Sequence, residues 1–373
     1  MKAEVLVRRA VTAVRPYVPG TPIEEVQRQL GLRSVVKLAS NENALGPSPK
    51  GLAAIRRASG RLHRYPDAGG FALKQTLARR LRVRSSELIL GNGSDEIIVL
   101  ALRTFVNPGE VVVVASPTFL IYEIAAQAVG AVVRTVPLKG FRYDLPAMRR
   151  AVSSKTKIVF IANPDNPTGT YVTAAEVASF LRGLPERVIV FFDEAYFEFA
   201  QVRDYPRTIP LVRRRPVIVS RSFSKAYGLA GIRIGYGIAD ERLVGYMDRV
   251  REPFNANLLA QEVALAALDD RQHLSRTRRL AADGKRLFYA ACDRLGLRYV
   301  PSQTNFVLID IGRSARPLYE ALLHRGIIVR EMGAWKLPTC IRVTVGTPSE
   351  NRRFIAALGA VLRQQRDKGQ VAR

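Results

Sequence analysis

The chain has 373 residues, with 58 Lys plus Arg against 32 Asp plus Glu and a formal charge of +26. Hydrophobic residues make up 47% and charged residues 24%, the balance of a globular protein with a sizeable core and not of a disordered chain. No apolar run approaches the roughly 20 residues that span a bilayer, and two distant cysteines, Cys292 and Cys340, exclude a disulfide scaffold and fit a reducing compartment.

The first residues, MKAEVLVRRAVTAVRPYVPG, break their apolar stretches at Glu4, Arg8, Arg9 and Arg15. That is not the uninterrupted apolar segment of a secretory signal, so a cytoplasmic location and no membrane partner are expected. The charge excess is mostly arginine and is scattered in pairs such as Arg56-Arg57, Arg149-Arg150 and Arg278-Arg279, with few aromatic residues between them. Solvated helix ends and loops account for this pattern better than a dedicated nucleic-acid surface, so no specific nucleic-acid partner is expected.

Along the chain, FALKQTLARRL reads as a helix with Phe71, Leu73, Leu77 and Leu81 near one face. Short apolar, β-branched runs follow: VVVVA (111–115), AVVRTV (131–136), KIVFIA (157–162), VIVFFD (188–193), VIVSRS (217–222) and IRIGYGI (232–238). Nearly continuous apolar strands separated by helices imply an α/β protein with a mostly parallel central sheet covered on both faces. From about residue 265 the pattern changes to long Arg- and Ala-rich helices. Strands at 304–311, 326–331 and 340–346 and a terminal helix from about Ser349 come next. The expected organisation is an N-terminal segment (1–40) joining a smaller α+β domain (265–373), with a large domain between (41–264).

In doubly wound sheets ligands collect beyond the C-terminal strand ends, so the residues closing each run carry the search. GNGSDE (91–96) precedes an apolar helix. Ser94 can cap that helix, and its free N–H groups make either an anion site or an ordinary capped start. NPDNPTG (163–169) forms a rigid turn that would hold Asn166 stiffly at a strand end, although a structural loop wants the same residues. Asp193 in DEAY (193–196) closes VIVFF, where it could pair with a cationic ligand nitrogen beside the Tyr196 phenol, or cap a helix. SFSKAYGLAGIRIG (222–235) supplies Ser222, Ser224, Lys225 and Arg233 around a glycine-rich turn. A desolvated lysine is a Schiff-base nucleophile, and the serines with the arginine suit a phosphate. Singly, a lysine is a surface residue and an arginine an ion-pair partner; the conjunction in this order is what points to chemistry.

Taken with SNENALGPSP (40–49), RYPD (64–67) and RVTVGTPSEN (342–351), these motifs resemble the fold-type I pyridoxal-phosphate aminotransferases of class I/II, and more narrowly the histidinol-phosphate aminotransferase subfamily, from about residue 15 to 360. The resemblance implies that Lys225 carries pyridoxal 5'-phosphate covalently and then moves the substrate proton. It further implies that Asp193 keeps the pyridine nitrogen protonated, that Asn166 and Tyr196 donate to the phenolate oxygen, and that Phe119 stacks on the ring. The phosphate would rest on Ser94, Asp95, Ser222, Ser224 and Arg233. Tyr65 would reach the cofactor of a second subunit, making the unit a homodimer with shared active sites. For substrates, Arg342 would take the carboxylate of glutamate or 2-oxoglutarate, with Asn43 lining the same pocket, and Arg330 the phosphate of histidinol phosphate. Glu331 should turn to the opposite face by strand alternation, and Trp335 stands where relatives often carry a tyrosine. An aromatic aminotransferase, a phospho-amino-acid decarboxylase and a non-catalytic nucleic-acid-binding relative are the rival readings. His63, His273 and His324 lack metal-ligand spacing, so no metal is expected.

Overall fold

In the computed structural model, residues 6–371 are described; Glu4 lies outside that range. A two-residue strand β1 (Val36–Lys37) is followed by β2 (Leu88–Gly91), β3 (Val111–Ser116), β4 (Val132–Pro137), β5 (Thr156–Ala162), β6 (Ile189–Asp193), β7 (Val217–Ser222) and β8 (Gly235–Ile238). The last seven form one sheet in the order β2-β8-β7-β6-β5-β3-β4. Strands β3 to β7 run parallel, and β8 is antiparallel to both β7 and β2. The mostly parallel sheet read from the sequence is therefore present. Its central strands are buried along nearly their whole length because helices cover both faces, which is why they read as unbroken apolar runs.

Departures have local causes. LILG at β2 is too short and too close to the glycine loop to stand out as a strand. The run beginning at Ile232 yields a strand only from Gly235, because Ala230–Ile232 forms a 3-10 turn and Arg233 lies in the left-handed region at φ 60°. In the helix Phe71–Leu81, Leu73 and Leu77 are buried but Phe71 is 69% exposed. Two residues turn the helix by about 200°, which puts Phe71 across from Leu73.

Beyond the sheet come β9 (Arg298–Val300), β10 (Phe306–Asp310), β11 (Ile327–Ile328), β12 (Arg330–Glu331) and β13 (Cys340–Thr344). Strands β12-β13-β10-β9 make an antiparallel sheet, while β11 pairs in parallel with β1 and so ties the N-terminal segment to this part of the chain. The helices Arg271–Leu295 and Pro348–Val371 cover it through Phe288, Cys292, Phe354 and Leu358, packed on Val307, Ile309, Ile341 and Val343. The core of the large sheet runs on to Leu268, in the helix Leu258–Leu268. No helix among the described residues is long and apolar enough to cross a membrane.

Candidate active site

Because β5, β6 and β7 are parallel and in register, their C-terminal ends open onto one cavity of about 260 Å³. Its wall contains Ser94, Asp95, Phe119, Asn166, Asp193, Tyr196, Ser222, Ser224, Lys225 and Arg233 from the large sheet, with Arg330 and Arg342 from the smaller one.

At one end the helix Ser94–Phe105 points its first turn into the cavity. The cap is not Ser94 but Gly93, at φ 82°; Ser94 is the first helical residue and makes no capping bond. The Arg233 guanidinium lies where a side chain at Gly93 would be, 2.2 Å from an ideal Cβ. Gly235 likewise lets the Ser94 amide come close, since a Cβ there would sit 2.5 Å from that nitrogen. Arg233 Nη1 donates to Ser224 Oγ at 3.3 Å and its Nη2 reaches Asp95 Oδ2 at 3.4 Å, an exposed and weak pair that a dianion can displace. A helix start, two serines and an arginine thus converge on a phosphate-sized anion site.

Asp193 ends β6 fully inside the protein and caps no helix. Its Oδ2 accepts from the Tyr122 hydroxyl at 2.6 Å, and its Oδ1 from the Ala195 amide at 3.1 Å and the Ser220 hydroxyl at 3.2 Å. Burial pushes its pKa up to about 6 against those hydrogen bonds, so a cation placed beside it would be strongly favoured. Tyr122 was not anticipated: it lies one helical turn after Phe119 and stacks on Phe160 with ring centroids 4.8 Å apart.

Lys225 projects from the turn after β7, its Nζ 3.4 Å from the Ser40 carbonyl oxygen and 5.8 Å from the Tyr196 ring centre. Burial, reinforced by the Arg342 charge, brings its pKa down to about 8, which raises the fraction of free amine. Burial pushes Tyr196 up to about 12, so it stays a hydrogen-bond donor, and Asn41 Nδ2 donates to its oxygen at 2.8 Å. Asn166 accepts a hydrogen bond from Arg342 through Oδ1, and its amide hydrogens have no partner among the described residues. The preceding residue, Asp165, is buried and bound to Thr118 and Thr168 at 2.8 Å, which stiffens the turn.

Arg330 and Arg342 are directly opposite partners on β12 and β13. Arg342 Nη2 donates to the Ala39 carbonyl at 2.8 Å, while its buried Nε has no partner and its guanidinium lies over Phe306. Arg330 Nη2 donates to the Val18 carbonyl at 2.6 Å and rests 4.9 Å over the Trp335 ring. Neither arginine has an ion-pair partner among the described residues. Glu331 turns away as expected and accepts from the Gly333 amide in its own turn.

One expectation needs correction. Asn43 does not line the cavity: its amide donates to the Ala226 carbonyl and Thr277 hydroxyl, and its carbonyl accepts from the Leu45 amide, so its bonding capacity goes to packing. Asn41, two residues earlier and at φ 56°, takes the wall position instead. Tyr65 is 81% exposed, stacked on Phe254 at 4.6 Å, and forms no part of this chain's cavity. Tyr17, which does line it, gave no sequence signal. Among the described residues no group of three or more His, Cys, Asp and Glu is arranged to hold a metal ion.

The family described as aminotransferase class I and II matches residues 33–358. The histidinol-phosphate aminotransferase of Moorella thermoacetica is 47% identical over 95% of this chain and 92% of its own, and histidinol-phosphate aminotransferase 2 of Pseudomonas fluorescens is 47% identical over 96% and 97%. The crystal structure of histidinol-phosphate aminotransferase from Sinorhizobium meliloti, in complex with pyridoxal-5'-phosphate, superposes with a TM-score of 0.90 at 32% identity, over 96% of this chain and 98% of that one. The match spans both sheets and the cavity between them, and the chain belongs to the class I and II aminotransferases.

Proposed function

We propose that this chain is a pyridoxal-phosphate-dependent aminotransferase that moves an amino group between L-histidinol phosphate and 2-oxoglutarate. The observation that carries the substrate is the cross-strand pairing of Arg330 with Arg342 on the wall that also holds Lys225. Like charges directly opposite each other destabilise a sheet unless an anion joins them. A phosphate or a carboxylate supplies that charge, and both substrates carry one.

The residues fit the cofactor. The cradle at Gly93, Ser222, Ser224 and Arg233 suits its phosphate, Asp193 its ring nitrogen, and the half-buried Lys225 amine its aldehyde. When bound, the cofactor supplies the electron sink that makes the substrate Cα–H acidic. Asp193, oriented by Tyr122, holds the ring nitrogen's proton. Lys225 would hold the cofactor's aldehyde carbon through its amine and, with substrate bound, would take the Cα proton and redeliver it. Tyr196 and Asn166 donate hydrogen bonds that orient the ring, and Phe119 closes one side. Arg342 and Arg330 hold the anionic end of the substrate so that its Cα–H faces Lys225.

The active unit is proposed to be a cytoplasmic homodimer. Tyr65, Phe254, Leu62 and Phe71 are large apolar side chains exposed on this chain, a concentration that a second copy would bury. A two-domain division near residue 265 is part of the same reading, supported by the first core, which runs only as far as Leu268.

Half-reaction spectra of the purified protein against a panel of amino donors test the proposal. Histidinol phosphate should convert the cofactor with kcat/KM at least tenfold above phenylalanine, and 2-oxoglutarate should regenerate it. Equal use of phenylalanine would support the aromatic aminotransferase reading, and carbon dioxide release without keto acid the decarboxylase reading.

A further inference from the structure

A second cleft, of about 770 Å³, lies on the large domain between the end of the helix Phe71–Leu81 and the segment 197–214. Every charged side chain lining it is an arginine: Arg80, Arg82, Arg207, Arg213, Arg214 and Arg221. Three are neutralised by carboxylates that are not on the wall. Arg80 pairs with Asp269 at 2.5 Å, Arg213 binds Glu87 through two nitrogens at 2.7 Å, and Arg221 binds Glu194 at 2.7 and 2.8 Å. The other three, Arg82, Arg207 and Arg214, make no ion pair or side-chain hydrogen bond among the described residues. The cleft therefore keeps an uncompensated charge of about three.

The floor differs from an ordinary solvated surface. Arg221 is buried there, its guanidinium 3.6 Å over the Phe197 ring, and Phe197 meets Tyr205 edge to face at 5.7 Å. Leu81, Val83 and Ile209 complete an apolar base beneath the arginine rim. A concave apolar base focuses the field of the rim charges into the space above it. Guanidinium forks match phosphate oxygens geometrically, and three unpaired forks around one concavity suit a ligand with two or three phosphates. Nucleic acid would need charge spread along a track, whereas the remaining arginine pairs of this chain are scattered over its sequence.

We propose that this cleft is a binding site for a compact polyphosphate anion, separate from the cofactor cavity. It backs onto that cavity through the chain itself: Arg221 immediately precedes Ser222, and Glu194 immediately follows Asp193. The assignment does not depend on the substrate chosen above.

The test uses the full chain saturated with pyridoxal phosphate, so that the phosphate cradle near Arg233 is occupied. Binding of inorganic triphosphate and of ATP is measured by calorimetry and thermal melting at matched ionic strength. The site predicts saturable binding at one equivalent per chain, with a rise in Tm, and at least a tenfold loss of affinity in Arg82→Ser/Arg207→Ser/Arg214→Ser. These arginines are exposed, so that variant should keep its fold and the cofactor absorbance of the parent. Tighter binding of ATP than of triphosphate would place its ring on the Phe197 floor; equal binding would assign recognition to the phosphates alone. The proposal fails if binding is not saturable, if the triple variant binds equally well, if triphosphate displaces the cofactor, or if affinity grows with the length of added DNA.

Discussion

Tyr122 donates its phenolic hydrogen to Asp193 at 2.6 Å, so the one buried carboxylate lining the cavity among the described residues is held in place by the protein itself. That hydrogen bond opposes the burial that drives the Asp193 pKa up to about 6. Tyr122→Phe removes it and leaves only the weaker bonds from the Ala195 amide and Ser220 hydroxyl to oppose burial. A hydrogen bond to a charged group is worth about 1.5–3 kcal/mol, so the Asp193 pKa should climb by about 1 to 2 further units. Activity depends on the ionised form, and the acid limb of the kcat profile should move to higher pH while KM changes little. An acid limb that stays in place would assign Tyr122 to packing alone.

Asp193 should also destabilise the cofactor-free protein near neutrality. Its folded pKa, about 6, lies above the ordinary 3.8, so the folded state binds the proton more tightly than the unfolded state. The stability linked to this group is complete below about pH 4 and is lost as pH rises through 6. Asp193→Asn carries no such titration. Without cofactor it should gain on the parent between pH 4 and 7, by up to about 3 kcal/mol, read as a growing difference in Tm. Adding pyridoxal phosphate should close that gap by stabilising the parent more, because only the carboxylate offers a charge to the ring.

How much of this was legible follows from how each residue is positioned. Asn166, Asp193, Ser222 and Lys225 were found because the apolar runs ending beside them mark strand ends, and parallel strands bring those ends together. Arg330 and Arg342 stood out only through resemblance, and their direct pairing depends on the register of β12 against β13, which no spacing encodes. Tyr17 and Asn41 were missed for the same reason: Asn41 meets Tyr196 across 155 residues of sequence. Asn43 is named only through the resemblance, and nothing in the spacing of SNENALGPSP tells it apart from Asn41, which lies in the left-handed region. Arg233 likewise delays the start of the expected strand to Gly235, and that same backbone turn is what lets it reach over Gly93.

Gly93 is the position where the anion cradle leaves no room. Alanine there would put a methyl group 2.2 Å from Arg233 Nη2 and would hold a side chain at φ 82°, which L residues rarely adopt. The arginine can swing away, since its tip is flexible and exposed, so Gly93→Ala should remain folded with a loss of about 1–3 kcal/mol. The heavier effect should fall on the cofactor: affinity for pyridoxal phosphate reduced at least tenfold, measured by absorbance titration, with pyridoxal lacking the phosphate affected far less. Equal losses for both would show that the loop does not discriminate the phosphate.

Arg342 acts on Lys225 as well as on the substrate. Burial is the larger cause of the lysine's depressed pKa and the arginine charge the next, so Arg342→Gln should raise that pKa from about 8 toward its ordinary 10.5. Less free amine then exists at neutral pH, and the pH at which added pyridoxal phosphate becomes half-trapped on Lys225 by borohydride should rise, as counted by mass spectrometry. KM for 2-oxoglutarate should rise 10- to 100-fold in the same variant, the loss of a charge-assisted hydrogen bond worth about 1.5–3 kcal/mol. Arg330→Gln separates the two effects. Its side chain bonds the Val18 carbonyl and rests on Trp335, so its removal should weaken the phosphorylated donor while the trapping midpoint stays near that of the parent. Equal midpoint shifts in both variants would mean that the lysine senses the total charge of the cavity and not Arg342 in particular.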